Sequence, residues 1–331
     1  TAAFAVIIGL IFGTLFQPGV GVNLDVLTKT VKPSAAAGAD SFDLIKMFVD
    51  MVPTNALDAM ANDRILQVVV LSVFVGITLN KLGPKVQIVK DFCQAAAQLV
   101  FEMIQIIMKF APYGVFAFMA WVVSTQGLDV LKALGMLALC VLCALFAQYL
   151  LFGVMIIVFG RISPIPFYKK ILETQSLAFS TSSSKAALPT AMRVVNERMG
   201  VSQSTTSFVL PLGTSINMDG TAIYLGITAL FFAQAYGHAP FTHHQYAILI
   251  LTATLGSIGA AGFPGGSIAM MGMVFSSVGL PLEGIAVIIG IDRILDMLRT
   301  TVNITGDSVI TLLVDKSEGT FDEKAYYNKD L

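Results

Sequence analysis

The sequence predicts an all-α polytopic membrane protein: transmembrane helices, two re-entrant helical hairpins and one broken helix. Three observations predict this class. Of 331 residues, 56% are hydrophobic and only 12% charged, about half the charged share of an ordinary soluble domain, and the mean hydropathy is +0.79. Charge-free runs reach spanning length, with 28 residues between Lys132 and Arg161 and 63 between Asp219 and Glu283; a helix needs about 20 to cross the hydrocarbon core. Finally, polar and Gly/Pro-rich strings interrupt apolar stretches at membrane depth, where unpaired backbone survives only if protein, water or ions satisfy it.

Taken in order, the candidate spans are Ala2–Phe16, Ile65–Asn80, Phe92–Ser124 with a break near Ala111–Pro112, the run from Lys132 to Arg161, and Ile285–Val314. The chain opens at Thr1 inside an apolar run, so it reads as starting within a helix, without a charged leader. Gly9-x-x-x-Gly13 fits close helix packing. Glu102 and Lys109, seven residues apart, share one helical face that would meet headgroups or protein. Lys81, Lys85 and Lys90 cluster in one connection and Arg161, Lys169 and Lys170 in another, which the positive-inside rule makes cytoplasmic. The connection at Gln126–Lys132, with one base, is then external, as is Gly237–Gln245, which holds three His and neither Lys nor Arg. The last 17 residues carry eight charges and no apolar face, and they read as a solvated tail.

Composition also excludes classes. A net charge of −1 leaves no basic surplus for neutralising phosphates, so no nucleic-acid partner is expected. Cys140 and Cys143 form a C-x-x-C inside an apolar stretch without a second pair or a nearby His, and Cys93 also lies in an apolar run; small buried helix residues are the preferred reading. His238, His243 and His244 beside many serines raise an intramembrane hydrolase, but those His lie in a Pro-containing outer loop. No catalytic residue is assigned. Asn303-Ile-Thr305 matches a glycosylation acceptor yet lies at membrane depth.

Three interruptions stand out. Ser180–Ser184 breaks an apolar stretch shortly before Pro189. Asn217-Met-Asp-Gly-Thr221 separates the runs Phe208–Ile216 and Ala222–Ala235. Ser257–Gly266 divides a further apolar stretch into halves too short to span. Two re-entrant hairpins and a broken helix are the pattern of a secondary transporter. In the last hydrophobic segment, Asp292, Asp296, Arg299, Thr300, Asn303 and Asp307 fall in one 100° stripe at 100° per residue. Each charge near a bilayer centre costs about 2.5–3.5 kcal/mol on insertion scales. An internal ion-pair ladder such as Asp296 with Arg299 is the structural alternative, but three acids against Arg299, plus Asp219, leave negative charge for a cation to neutralise. An Arg fork suits a carboxylate, an Asp suits an ammonium, and a Ser-rich helix start suits a second carboxylate. Together these describe an acidic amino acid, with hard oxygens left over for Na+.

These strings, together with Gly262-Phe-Pro-Gly265 and Asp296-x-x-Arg-Thr-x-x-Asn-x-x-x-Asp307, resemble the glutamate transporter (dicarboxylate/amino acid:cation symporter) family, and the order is kept from Thr1 to about Thr320. The resemblance implies a homotrimer in the plasma membrane, of the bacterial inner-membrane type, working by an elevator motion of a transport domain against a scaffold. It places Thr1 inside the family's third helix. It also implies scaffold for residues 1–80 and 81–130, a sixth helix of the transport domain at 131–170, and a transport core at 171–314. That core comprises a first hairpin at 171–203, a broken helix at 204–237, a second hairpin at 245–280 and a last helix at 283–314, with a cytoplasmic tail at 315–331.

For the substrate, the resemblance implies Ser183 and Ser184 at the first hairpin tip, with Ser184 on the main carboxylate, and polar contacts from Thr221, Thr300 and Asn303. Asp296 would hold the amino group and Arg299 the side-chain carboxylate, under a gate of Gly262, Phe263, Pro264 and Gly265. For Na+, it implies one site at Gly213, Asn217, Asn303 and Asp307. A second would use Ser215, Met218, Ser257, Ile258 and Ala260, and a third Asn217, Asp219 and Thr1. Ser182 and Met297 stand where members often carry a second Arg, and Lys185 follows the tip instead. Leu225 replaces a Glu linked to proton and potassium coupling in the mammalian excitatory transporters, which argues against potassium counter-transport, and the retained Asp307 favours sodium. The expected function is therefore Na+-coupled symport of L-aspartate or L-glutamate. A C4-dicarboxylate or proton-coupled glutamate symporter is the first alternative, and an ion channel the second.

Overall fold

A computed structural model describes residues 1–22, 49, 52–61, 65–126, 129–238, 240–260, 262 and 265–328. Among the described residues it is helical throughout, with no strand. The chain divides into two compact units, Thr1–Lys32 with Thr125–Leu331, and Pro33–Ser124.

The smaller unit contains α2 (Ala56–Ala61), α3 (Ile65–Leu82), a 3₁₀ turn at Gly83–Val86 and most of α4 (Gln87–Gln126). The break expected near Ala111–Pro112 is absent, since α4 runs through it. Proline removes one N–H and crowds the preceding turn, so it kinks or breaks a helix according to what supports the neighbouring turns. Phe74, Ile88, Phe92, Phe110 and Phe116 are all more than half exposed, and Glu102 and Lys109 are exposed too.

The larger unit is built around two helices. One is α10 (Asp219–Ala235), in which every residue except Gln234 is buried. The other is α13 (Ile285–Glu318). Around them lie α1 (Ala2–Phe16), α5 (Asp129–Met155, extended by a π turn through Gly160), α9 (Gln203–Ile216) and two helix pairs. The first pair is α7 (Leu172–Thr181) with α8 (Ser184–Arg193), and the second is α11 (His243–Gly259) with α12 (Gly266–Ser277). A helix apolar all round must be buried on all sides, and α10, with Ala, Ile, Leu and Phe around its whole circumference, takes that central position.

The sequence grouped residues 1–80 together; the structure divides them. Helix α1 packs on α10, α5 and α11 within the larger unit. The contact is backbone-close, because a Cβ at Gly9 would lie 2.7 Å from the Ile223 carbonyl oxygen and one at Gly13 2.7 Å from Leu230 Cδ1. Gly19 likewise sits against the Phe231 carbonyl. Small residues let helices approach this closely, so the Gly9-x-x-x-Gly13 string marks the face that meets α10.

The tail residues described are mostly exposed, with short helical structure and one buried anchor. Helix α13 continues to Glu318, and a short α14 (Glu323–Tyr327) follows and packs on α6 (Ile165–Lys170). Tyr326 is fully buried; its hydroxyl accepts from Phe167 N at 3.2 Å and donates to the Ser163 carbonyl at 2.7 Å. Asp315 accepts from Ser202 and Thr205 at the start of α9 and from the Thr320 hydroxyl. Although burial opposes it, these hydrogen bonds hold the Asp315 carboxyl below the usual carboxylate range. One buried aromatic, rather than an apolar face, secures the segment.

Candidate functional site

Each interruption seen in the sequence is a break between helices. Between α7 and α8, Ser182 adopts a left-handed backbone (φ 52°) and Ser183 is extended. The Ser183 hydroxyl accepts from Ala186 N at 3.2 Å, capping α8, and donates to the Gly262 carbonyl at 3.1 Å. That bond ties the α7–α8 link to the α11–α12 link. Ser182 and Ser184 are buried with hydroxyls that have no partner among the described residues. A non-glycine residue in the left-handed region costs about 1–3 kcal/mol and is held by its surroundings; such positions cluster where a ligand is clamped.

Between α11 and α12, Gly262 (φ 67°) and Gly265 (φ 77°) supply the left-handed turns. A Cβ on Gly262 would stand 2.9 Å from Met218 Cε and 3.0 Å from the Thr214 carbonyl, so glycine is required there on both counts. Phe263 and Pro264 lie outside the described residues. Gly262 thereby brings this link against the α9–α10 break and against Ser184, whose Cβ lies 3.5 Å from where a Cβ on Gly262 would stand. Within the same segment Ser257 is buried and donates to the Thr254 carbonyl, Ile258 is half-buried, and Ala260 is buried.

At the α9–α10 break, Asn217 and Met218 leave helical geometry (φ/ψ −115°/75° and −104°/63°). Gly220 N, one of the donors a helix start leaves without an intrahelical acceptor, donates to Asn303 Oδ1 at 2.7 Å. Asn303 Nδ2 faces Met218 Sδ at 3.3 Å and Thr221 Oγ1 at 3.4 Å. Ser215 donates weakly to the Pro211 carbonyl at 3.4 Å.

Two clusters of charge follow along α13. In the first, Arg299 is fully buried; one terminal nitrogen is 2.9 Å from Asp292 Oδ1, and the other is 3.0 Å from Asp296 Oδ1 and 2.9 Å from Ser267 Oγ. Its guanidinium also stacks 3.8 Å from the Tyr224 ring centre. The second oxygen of Asp296 accepts from Gly265 N at 3.1 Å, and Thr300 is buried one position on from Arg299. The ion-pair ladder weighed as the structural alternative is therefore present, with Asp292 as a second acid. In the second cluster, no Lys or Arg side chain among the described residues pairs with Asp219 or Asp307. Asp219 accepts from Thr1 Oγ1 at 2.7 Å and from Gln148 Nε2 at 3.1 Å, and Thr1 Oγ1 also contacts Asn217 Oδ1. Asp307 accepts from Asn217 Nδ2 at 3.3 Å, lies against Gly213, and keeps Oδ2 buried with no partner among the described residues.

The sequence reading gave no role to Asp292, Ser267, Tyr224 or Gln148. Asp292 already lay in the polar stripe, and Gln148 is a lone amide in a charge-free run, which is a usable signal. Ser267 and Tyr224 carried none.

A membrane symporter is the class this arrangement and the chain's kinship define. The chain belongs to the sodium:dicarboxylate symporter family, whose sequence profile matches residues 1–317. It is 36% identical, over 97% of its length and 76% of the relative's, to the proton/sodium-glutamate symport protein of Geobacillus stearothermophilus. It is 38% identical, over 97% and 72%, to a C4-dicarboxylate transport protein of Pseudomonas syringae pv. syringae (strain B728a). A proton/glutamate-aspartate symporter of Bacillus subtilis is 34% identical over 96% and 77%.

Proposed function

We propose that the protein is a Na+-coupled symporter of L-aspartate or L-glutamate in the plasma membrane, with the larger unit as the carrier body of an elevator motion and the chain assembled as a homotrimer. The observation that carries the sodium reading is the Asp219–Asp307 cluster: buried carboxylates with no Lys or Arg partner among the described residues, one oxygen unsatisfied there, and the Thr1 hydroxyl shared between Asp219 and the Asn217 amide oxygen. Buried charges are paired or hold cations, and hard oxygen donors suit a small alkali cation. Gly213, Asn217, Asn303 and Asp307 would hold one Na+, and Thr1, Asn217 and Asp219 another. Ser215, Met218 and the end of α11 (Ser257, Ile258, Ala260) would contribute through the junction that Gly262 forms.

On the substrate side, the partnerless hydroxyl of Ser184 and the capped start of α8 would take the main carboxylate, with Thr221, Thr300 and Asn303 as further polar contacts. Asp296 would take the ammonium, releasing Gly265 as it does so. Arg299 would turn part of its fork from the acids to the side-chain carboxylate. The α7–α8 and α11–α12 pairs act as re-entrant hairpins, with Gly262–Gly265 as the gate. C4-dicarboxylate transport is the second reading, favoured by the 38% identity to a relative of that name; Asp296 opposes it, since succinate carries no ammonium.

Uptake of labelled aspartate into proteoliposomes tests the reading. Concentrative uptake that requires an inward sodium gradient and resists excess succinate is expected. Uptake driven by a proton gradient alone would overturn the sodium assignment, strong competition by succinate would favour the dicarboxylate reading, and solute-free current would favour a channel.

A further inference from the structure

Away from the α13 clusters, the junction of α6 with α14 forms a cleft of about 560 Å³. Ser163, Ile165, Lys169, Lys170, Arg198 and Tyr327 are among its lining residues, and no Asp or Glu lines it among the described residues. One wall is apolar, formed by Ile165 and Pro166, with Ile165 61% exposed; Leu172, just after α6 in the chain, is 57% exposed. The π turn that precedes α6 presents Phe159 at 71%. The other wall is cationic. Lys170 Nζ donates to the carbonyls of Arg198 (2.5 Å) and Ala325 (2.9 Å), which uses two of its three protons. Arg198 meets Glu173 at 3.2 Å, but Glu173 is shared with Arg193, so one carboxylate serves two guanidinium groups. Lys169 is exposed and makes no ion pair among the described residues. Burial and the Arg198 charge lower the Lys170 pKa, a penalty that a bound anion relieves.

We propose that this cleft binds the phosphodiester head of an anionic phospholipid, with its acyl chains running over the apolar rim. A cleft with one basic and one apolar wall at the end of a membrane helix matches the two ends of such a lipid, and basic pockets of this kind recognise acidic headgroups. The volume exceeds that of a bare phosphate and leaves room for a headgroup. The inference rests on the membrane reading of Leu131–Gly160 but not on any substrate or coupling ion. An occupied cleft would brace α14 against α6, because Lys170 already joins both walls.

The test is retention of short-chain phosphatidylglycerol by the purified full chain in detergent, read by native mass spectrometry, with phosphatidylcholine of equal chain length and inorganic phosphate as comparators. Phosphatidylglycerol is expected to be retained and phosphatidylcholine not. In the Lys169→Gln/Arg198→Gln double variant, retention is expected to fall by about 30-fold, or about 2 kcal/mol at 1.4 kcal/mol per decade, on the basis of two bases near an anionic surface. Equal retention by the double variant, or equal retention of phosphatidylcholine, overturns the proposal. Displacement by equimolar phosphate would identify a soluble anion as the ligand and overturn the lipid assignment. Sodium-dependent aspartate binding by the same variant separates this result from the transport reading: intact binding with lost lipid is expected, whereas loss of both would mark a folding defect and overturn the assignment to the cleft.

Discussion

Replacing Asp307 by asparagine removes one negative charge from the α13 cluster while keeping its shape. The isostere still fits against Gly213, whose added Cβ would lie 2.8 Å from Asp307 Oδ1, and can still accept from Asn217. Two opposite effects follow. Without sodium, the variant no longer buries a carboxylate with an orphaned oxygen near Asp219, a burden worth several kcal/mol per ion, so it should melt higher than the parent. With sodium, the variant has lost an anionic ligand. Truncating one partner of a buried charge pair costs about 2–5 kcal/mol, or roughly 30- to 4,000-fold in affinity. At that one site, sodium at a hundred times its dissociation constant stabilises the parent by ~2.7 kcal/mol, and the same concentration would give the variant at most ~0.9 kcal/mol through it, so the sodium-dependent rise should shrink. Thermal unfolding of the full chain in detergent, in choline and then in sodium chloride, reads both effects. A variant that keeps the full sodium-dependent rise, or gains nothing in choline, would show that Asp307 holds no cation.

Three further outcomes are expected. Arg299→Gln leaves Asp292 and Asp296 buried without their base, which should destabilise by about 3–5 kcal/mol, and adding Asp292→Asn should recover part of that loss in denaturant unfolding; no recovery would refute the pairing. Gly9→Ala drives a Cβ into the Ile223 carbonyl and should cost about 1–3 kcal/mol, whereas Gly135→Ala, with open space around it, should be neutral or gain up to about 1 kcal/mol. The Asp315 carboxyl is held low in the folded state; its contribution is full above the unfolded value and is lost as pH falls through the depressed folded one. Protection from hydrogen exchange over residues 315–328, corrected for the intrinsic rate at each pH, should therefore fall only below about pH 3.9, and Asp315→Asn should weaken that acid-dependent loss.

The breaks were legible in the sequence because serine and asparagine strings inside apolar runs have no place in an uninterrupted span. The inward face of α13 was legible from its angular stripe: all six stripe residues are buried, while Ile294 is 64% exposed. Other contacts could not be read from periodicity alone. An ion pair between Arg299 and Asp292 depends on side-chain reach over seven residues, with Tyr224 supplied from another helix. Tyr326 docks alone, so a pattern search for an apolar face passes over it. The partner of α1 was also hidden, because an apolar run announces burial in lipid or protein alike, and only the Gly9–Gly13 spacing distinguishes the side that meets backbone.

The backbone-close seam between α1 and α10 also works as a ruler. Gly9, Gly13 and Gly19 are three notches cut for particular points on α10, and they permit a single sliding position. A slip of one residue would shift α1 by about 1.5 Å and turn it by about 100°, enough to carry the Thr1 hydroxyl off Asp219. The placement of one oxygen at the head of the helix is thus decided by hydrogen-sized side chains two to three turns along it and by Gly19 just past its end.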